Sequence, residues 1–170
     1  ALAAAVPPGA EGLVMLPYML GEKSPIHDPN ARGVLAGLTL GHGPGHIWRA
    51  ALEGTAHAFR HHVEVLRELG FRPHHLLASD GGSASAVWMQ IVADVHQTPV
   101  QVLSGHPGSC LGAAWLAAMG VGLADSHEGV SDFVGLGPAY APDPGLAALH
   151  DAGHARFRDL YRRLQPWFPG

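Results

Sequence analysis

The 170-residue sequence predicts an α/β fold in which helices pack on a mixed sheet. Three observations point there. Short apolar runs bounded by Gly and Pro alternate with longer stretches of helical period. Residues 75–96 read as a strand, a Gly-Gly turn and a helix in direct succession. Hydrophobic residues make up 47% of the chain, enough for a buried core at the length of about one domain.

Residues 12–20 form an apolar run broken by Pro17, which has no N–H for a central ladder, so a strand running into a loop is expected. Residues 21–33 are rich in turn formers, and residues 34–40 resume as a second extended segment. A long helix is expected over 46–69, with Pro44 suited to its first turn and Gly70 to its end. Ile47, Ala51, Ala58, Phe59, Val63 and Leu66 are spaced to form its buried stripe. Residues 75–79 are a strand candidate, residues 80–83 a tight turn, and residues 85–96 a helix with Trp88, Ile91 and Val95 on one side.

Residues 99–103 suggest another short strand, followed by a turn over 105–109. Gly112, Ala113, Ala114, Ala117 and Ala118 then mark a small-residue helix over 110–121, read as buried against a sheet. Residues 135–145 are a Gly/Pro-rich connection, and Leu146, Leu149, Phe157, Leu160 and Leu164 mark a final amphipathic helix. No internal repeat is evident.

Composition narrows the function classes. The net charge is −4 and Lys23 is the one lysine, so no basic surface attracts a nucleic-acid backbone or an anionic membrane. Charged residues are only 14% of the chain against a usual ~25%, which suggests that part of the surface is covered by something else. The longest uncharged apolar run, residues 110–124, is shorter than the ~18 residues of a membrane span. A lone Cys110 and an opening segment without a basic leader fit a cytoplasmic protein.

Residues 80–85 are the first candidate site. A turn with two glycines beside a helix N-terminus leaves backbone N–H groups unobstructed, and the aligned peptide dipoles there favour a nucleotide. Asp80 is expected to shape this turn and Asp94 to belong to the helix, neither serving as a catalytic base. Upstream, GVLAGL (33–38), seven further residues and HIWRAALE (46–53) closely resemble the second signature of the FGGY carbohydrate kinases. LPYMLGEKSP resembles that family's L-P-Y-x-x-G-E-R-x-P, and DPNARG precedes the signature at the expected place. DGGSASAVWMQIVADV resembles the adenosine loop and its helix, and LGAAWLAAMGVG the small-residue helix that follows.

The resemblance covers almost the whole chain and is nearest to xylulokinase-like members. It implies the C-terminal lobe, in part, of an actin-like, ribonuclease-H-like ATPase fold, as a single nucleotide-side domain over residues 1–170. ATP and Mg²⁺ would be co-substrate and cofactor, and a small sugar, a ketopentose such as xylulose, the acceptor. Gly81, Gly82, Ser83 and Ser85 would line the adenine and ribose site, with Gly112 and Ala113 supporting that pocket. The family's catalytic Asp and G-T phosphate hairpin lie in sequence before the equivalent of Ala1, in a missing N-terminal domain. This segment alone is therefore expected to be inactive, with one face against that domain and another open to a homodimer partner. Departures from the pattern are Lys23 in place of Arg and Gln97-Thr98 before Pro99.

Two rival functions compete: a non-catalytic actin-like nucleotide-binding or interaction module, and a glycerol or other polyol kinase of the same family. Thirteen histidines, with i,i+4 pairs His57/His61 and His150/His154, raise a metal-binding domain as a third. Histidines scattered over the surface, titrating near pH ~6.5, explain the same count without a metal. Arg49 and Glu53 read as scaffold, Glu22 and Lys23 as a loop pair, and Trp48 and Trp88 as core or interface anchors. His106 is too far along its turn to argue a pair with Cys110.

Overall fold

The computed structural model describes residues 2–105 and 108–169. His106, weighed above against Cys110, and part of the 105–109 turn lie outside the described residues. Two small sheets flank one long helix. The first sheet pairs β1 (Val14–Leu16) with β2 (Val34–Ala36) in antiparallel register, Met15 opposite Leu35. Both strands are shorter than their apolar runs, because Pro17 ends one and Gly37, at φ +90°, ends the other.

The long helix, α1, is Pro44–Glu68, opened by Pro44 and followed by Gly70 at φ +92° as anticipated. Its expected stripe is corrected. Ile47, Phe59 and Leu66 are exposed, while the buried side is Arg49, Ala50, Glu53, Gly54, Ala56, His57, Ala58, His61 and Val63. The cause is steric. β1 lies so close to this side that a Cβ at Gly54 would overlap the Met15 carbonyl, so small residues win these places over large apolar ones.

The second sheet has the order β3 (Leu76–Ala78), β4 (Val100–Ser104), β5 (Gly135–Tyr140). β3 and β4 run parallel, joined through α2 (Ala86–His96), and β5 returns antiparallel on β4. β5 falls in the Gly/Pro-rich stretch 135–145, where the sequence pattern marks no strand. Its GLGPAY sequence lacks β-branched residues, so it is a strand through its pairing with β4, not through local preference.

α3 (Ser109–Gly120) was expected to be buried, and it is not: none of its described residues is buried, and Leu116 is 60% exposed. It packs on the short 3₁₀ segment Glu128–Phe133, where Trp115 lies against Phe133. α4 (Ala147–Leu164) closes the fold against α1, α2 and β1.

Two main cores result. Met89, Ile91, Val92, Val95, Val100 and Val102 fill the space between α2 and the mixed sheet, with Ala56 of α1. Leu16, Tyr18, Ala58, Phe157, Tyr161 and Phe168 fill the space between β1, α1 and α4. The phenol of Tyr161 donates to Asp28 Oδ2 at 2.8 Å, which ties the 21–33 loop to α4. That bond holds the Asp28 carboxyl below its usual range, and burial with the same bond pushes Tyr161 up to about 12.

Candidate functional site

Because β3 and β4 are parallel, the turns that follow them leave from the same edge of the sheet, where ligands of open α/β sheets bind. Gly108, which leads into α3, lies beside Asp80: a Cβ at Gly108 would come 3.0 Å from Asp80 Oδ1. The corner after β3 is a single 3₁₀ turn, Gly81–Ala84, entered through Asp80 at φ +67°. The Asp80 carbonyl accepts from Ser83 N at 3.0 Å and Ser83 Oγ at 2.7 Å, so Asp80 shapes the turn as expected.

The four expected nucleotide residues have different roles. Gly81 and Gly82 are exposed, and their N–H groups donate to no protein group among the described residues. A Cβ at Gly81 would meet nothing within 4 Å, and one at Gly82 only the Trp88 indole, at 3.4 Å. Gly82 and Ser83 border a cavity of about 430 Å³ walled by β3 and by Phe59, Val63, Trp88 and Met89. The corner is therefore neither plugged by side chains nor turned away from a cavity. Ser85 instead caps α2, its Oγ accepting from Trp88 N at 3.3 Å.

Gly112 and Ala113 do not line this cavity. Both are exposed, and a Cβ at Gly112 would meet no atom within 4 Å, because α3 stands off the body of the chain. Asp94 is buried inside α2, its Oδ1 accepting from Gln90 Nε2 and from the Asp143 N–H, both at 2.8 Å. Arg49 Nε and Glu53 Oε1 form a buried pair at 2.8 Å. Glu53 also accepts from Gly9 N, and Arg49 from its other end donates to the Ala3 and Val6 carbonyls. The pair thus anchors the first turns of the chain to α1, a scaffold role. Trp48 is 58% exposed and no core anchor, whereas Trp88 packs partly buried on the α2 core.

The histidine reading needs correction. His57, His61, His96, His150 and His154 are buried between α1, α2 and α4, and burial lowers the pKa of each, to about 2 for His57 and about 4 for His96. Burial disfavours their charged form, so these five are not the surface histidines expected from the count. Spacing alone does not separate a buried i,i+4 pair from an exposed one, since both occupy one helix face. Among the described residues, no group of three or more His, Cys, Asp or Glu is placed to hold a metal ion, and no helix is long and apolar enough to cross a membrane.

The sequence model of the FGGY family of carbohydrate kinases, C-terminal domain, matches residues 1–121. A xylulose kinase of Bacillus subtilis is 36% identical over 161 residues, covering 94% of this chain and 32% of its own length. A gluconokinase of the same organism is 37% identical over 165 residues, covering 96% of this chain and 32% of its own. Among solved structures, the xylulose kinase from Rhodospirillum rubrum superposes with a TM-score of 0.86 at 50% identity, over 98% of this chain and 33% of that one. The chain spans about a third of the length of these relatives.

Proposed function

We propose, because this chain belongs to the FGGY family of carbohydrate kinases, that it supplies the adenosine-binding part of an ATP-dependent sugar kinase whose acceptor is a ketopentose such as xylulose. The observation that carries the reading is the open corner of Gly81 and Gly82 at the carboxyl edge of the parallel strand pair, with backbone donors that engage no protein acceptor among the described residues. A nucleoside approaches there without meeting a side chain, and the N-terminus of α2 favours its phosphates. Ser83 shapes the rim, and Ser85 fixes where α2 begins.

Mg²⁺ would arrive with the phosphates of ATP, which supply most of its oxygen ligands. On this reading the catalytic carboxylate and the sugar contacts come from elsewhere in the enzyme, since the chain spans about a third of the length of its relatives. Residues 1–170 then form one nucleotide-side unit of a two-domain enzyme whose closure excludes water from the transfer.

Xylulose is favoured by the 50% identity to a xylulose kinase structure. Gluconate is the second reading, since a gluconokinase is as similar in sequence as a xylulose kinase. The test is ATP turnover by the full-length protein with each acceptor. The proposal predicts kcat/KM for D-xylulose at least about tenfold above D-gluconate, a difference of ~1.4 kcal/mol in transition-state binding. The reverse order establishes the second reading. Sugar-independent nucleotide binding with no turnover on any sugar or polyol would leave the non-catalytic module.

A further inference from the structure

The seam between α1, α2 and α4 is built from imidazoles. His57 lies 5.5 Å from His154 and 6.1 Å from His150 between ring centroids, and His61 lies 6.4 Å from His154. Phe157 packs on both His57 and His154, and His96 of α2 joins the same interior. His57 and His150 also wall a cavity of about 260 Å³ closed by the first turns of the chain. His57 Nδ1, His150 Nε2 and His154 Nδ1 have no protein partner among the described residues, and His96 has only the Ala56 backbone carbonyl nearby.

The carboxylates around this layer are already engaged. On α1, Glu53 holds Arg49 and the Gly9 N–H, and Glu64 holds Arg60, Arg158 and His154 Nε2. On α2, Asp94 holds Gln90 and the Asp143 N–H. On α4, Asp151 holds Arg60. Glu11 of the first turns pairs with His46. Among these carboxylates, Glu53 and Asp94 bear on His150, and Glu64 bears on His61 and His154; the other charges that face the layer are cationic. Arg60 bears on His57, His96, His150 and His154; Arg158 bears on His61 and His154, Arg67 on His96, and Arg49 on His150. Arg156 lies at the cavity wall, donating to the Gly12 carbonyl. A proton added to His57 or His96 would meet neighbouring rings and guanidiniums with no carboxylate beside it, whereas one on His154 would share Glu64 with Arg60 and Arg158.

We infer that this imidazole layer is an acid-released latch: mild acidification charges rings that face one another across the seam and frees α4 from α1 and α2, while the α2–β4 core stays closed. The latch is independent of which sugar the kinase uses. The direction follows from linkage. In the open state the rings regain the ordinary histidine pKa of ~6.5, whereas burial disfavours their charged form in the closed state. Below pH ~6.5 the open state binds more protons, so the closed state is fully favoured above that pH and loses ground as the pH falls.

The test is amide hydrogen exchange on the protein from pH 7.5 to 5, expressed as protection factors so that the intrinsic pH dependence cancels. Protection in α4 is expected to fall by about tenfold per pH unit below ~6.5 for each ring that charges on opening, with α2 and β4 amides retaining theirs. His150→Leu, which removes one fully buried ring, should make the α4 dependence shallower by about a factor of ten per unit. His127→Gln, at an exposed histidine, should leave it unchanged. If His150→Leu does not fold, ring ¹³C shifts of the wild-type protein decide: His57 and His150 should change protonation only together with α4 opening. The inference is overturned if α4 protection is constant down to pH 5, if the two variants behave alike, or if His57 titrates near pH 6.5 with α4 still protected.

Discussion

Asp94 shows how an acidic residue can be wholly engaged in holding elements together. Its carboxylate receives Gln90 and the backbone of Asp143 deep inside the protein, so it fastens the 141–143 segment to α2. Asp94→Ala removes the charged acceptor of the part-buried Asp143 N–H and of Gln90, and is expected to cost about 2 kcal/mol, read as a lower chemical-denaturation midpoint. Ser85→Ala removes the cap of α2 and should cost about 1 kcal/mol in the same assay. The glycine corner itself was legible because Gly-Gly after an apolar run can be read locally. The separate duties of Gly82 and Ser85 were not, since only the fold shows which group faces the cavity and which turns back to cap the helix.

At the scale of elements, α1 is the member that organises both cores. Its ends were readable from Pro44 and Gly70, but its buried side was not. Hydrophobic spacing marks Ile47, Phe59 and Leu66, whereas the packed side carries Ala50, Gly54 and Ala58 beside charged and imidazole groups that satisfy one another only in three dimensions. Gly54→Ala tests that close approach directly. The added methyl would overlap the Met15 carbonyl, so the substitution should lower stability by about 3 kcal/mol despite Ala being the better helix former. An unchanged denaturation midpoint would mean that β1 does not press on α1 there. The missed strand β5 teaches the same lesson from the other side, since GLGPAY becomes a strand only when β4 offers it a ladder.

For the molecule as a whole, the low charge content and the exposed apolar residues belong together. Trp48, Phe59, Leu77 and Leu116 are all more than half exposed, and β3 has a strand on one side only among the described residues. In relatives about three times as long, more polypeptide is present to cover such a face. The isolated 170 residues are accordingly expected to bind an apolar-surface dye and to show no sugar-dependent ATP turnover, while the full-length enzyme shows the turnover without the dye signal. Robust turnover by the 170 residues alone would place the catalytic carboxylate within them and overturn the division of labour proposed here.

The central claim is that the bare backbone at Gly82 receives the nucleotide, and calorimetric binding of a non-hydrolysable ATP analogue to the full-length enzyme and its Gly82→Val variant tests it most directly. A Cβ at this position meets only the Trp88 indole at an ordinary contact distance, so the fold should survive and sugar affinity should be unchanged. The account predicts nucleotide affinity weakened at least about tenfold, or ~1.4 kcal/mol, because branched carbons then stand where the ligand approaches. Equal affinity in the two proteins, with the variant fully folded, would contradict it.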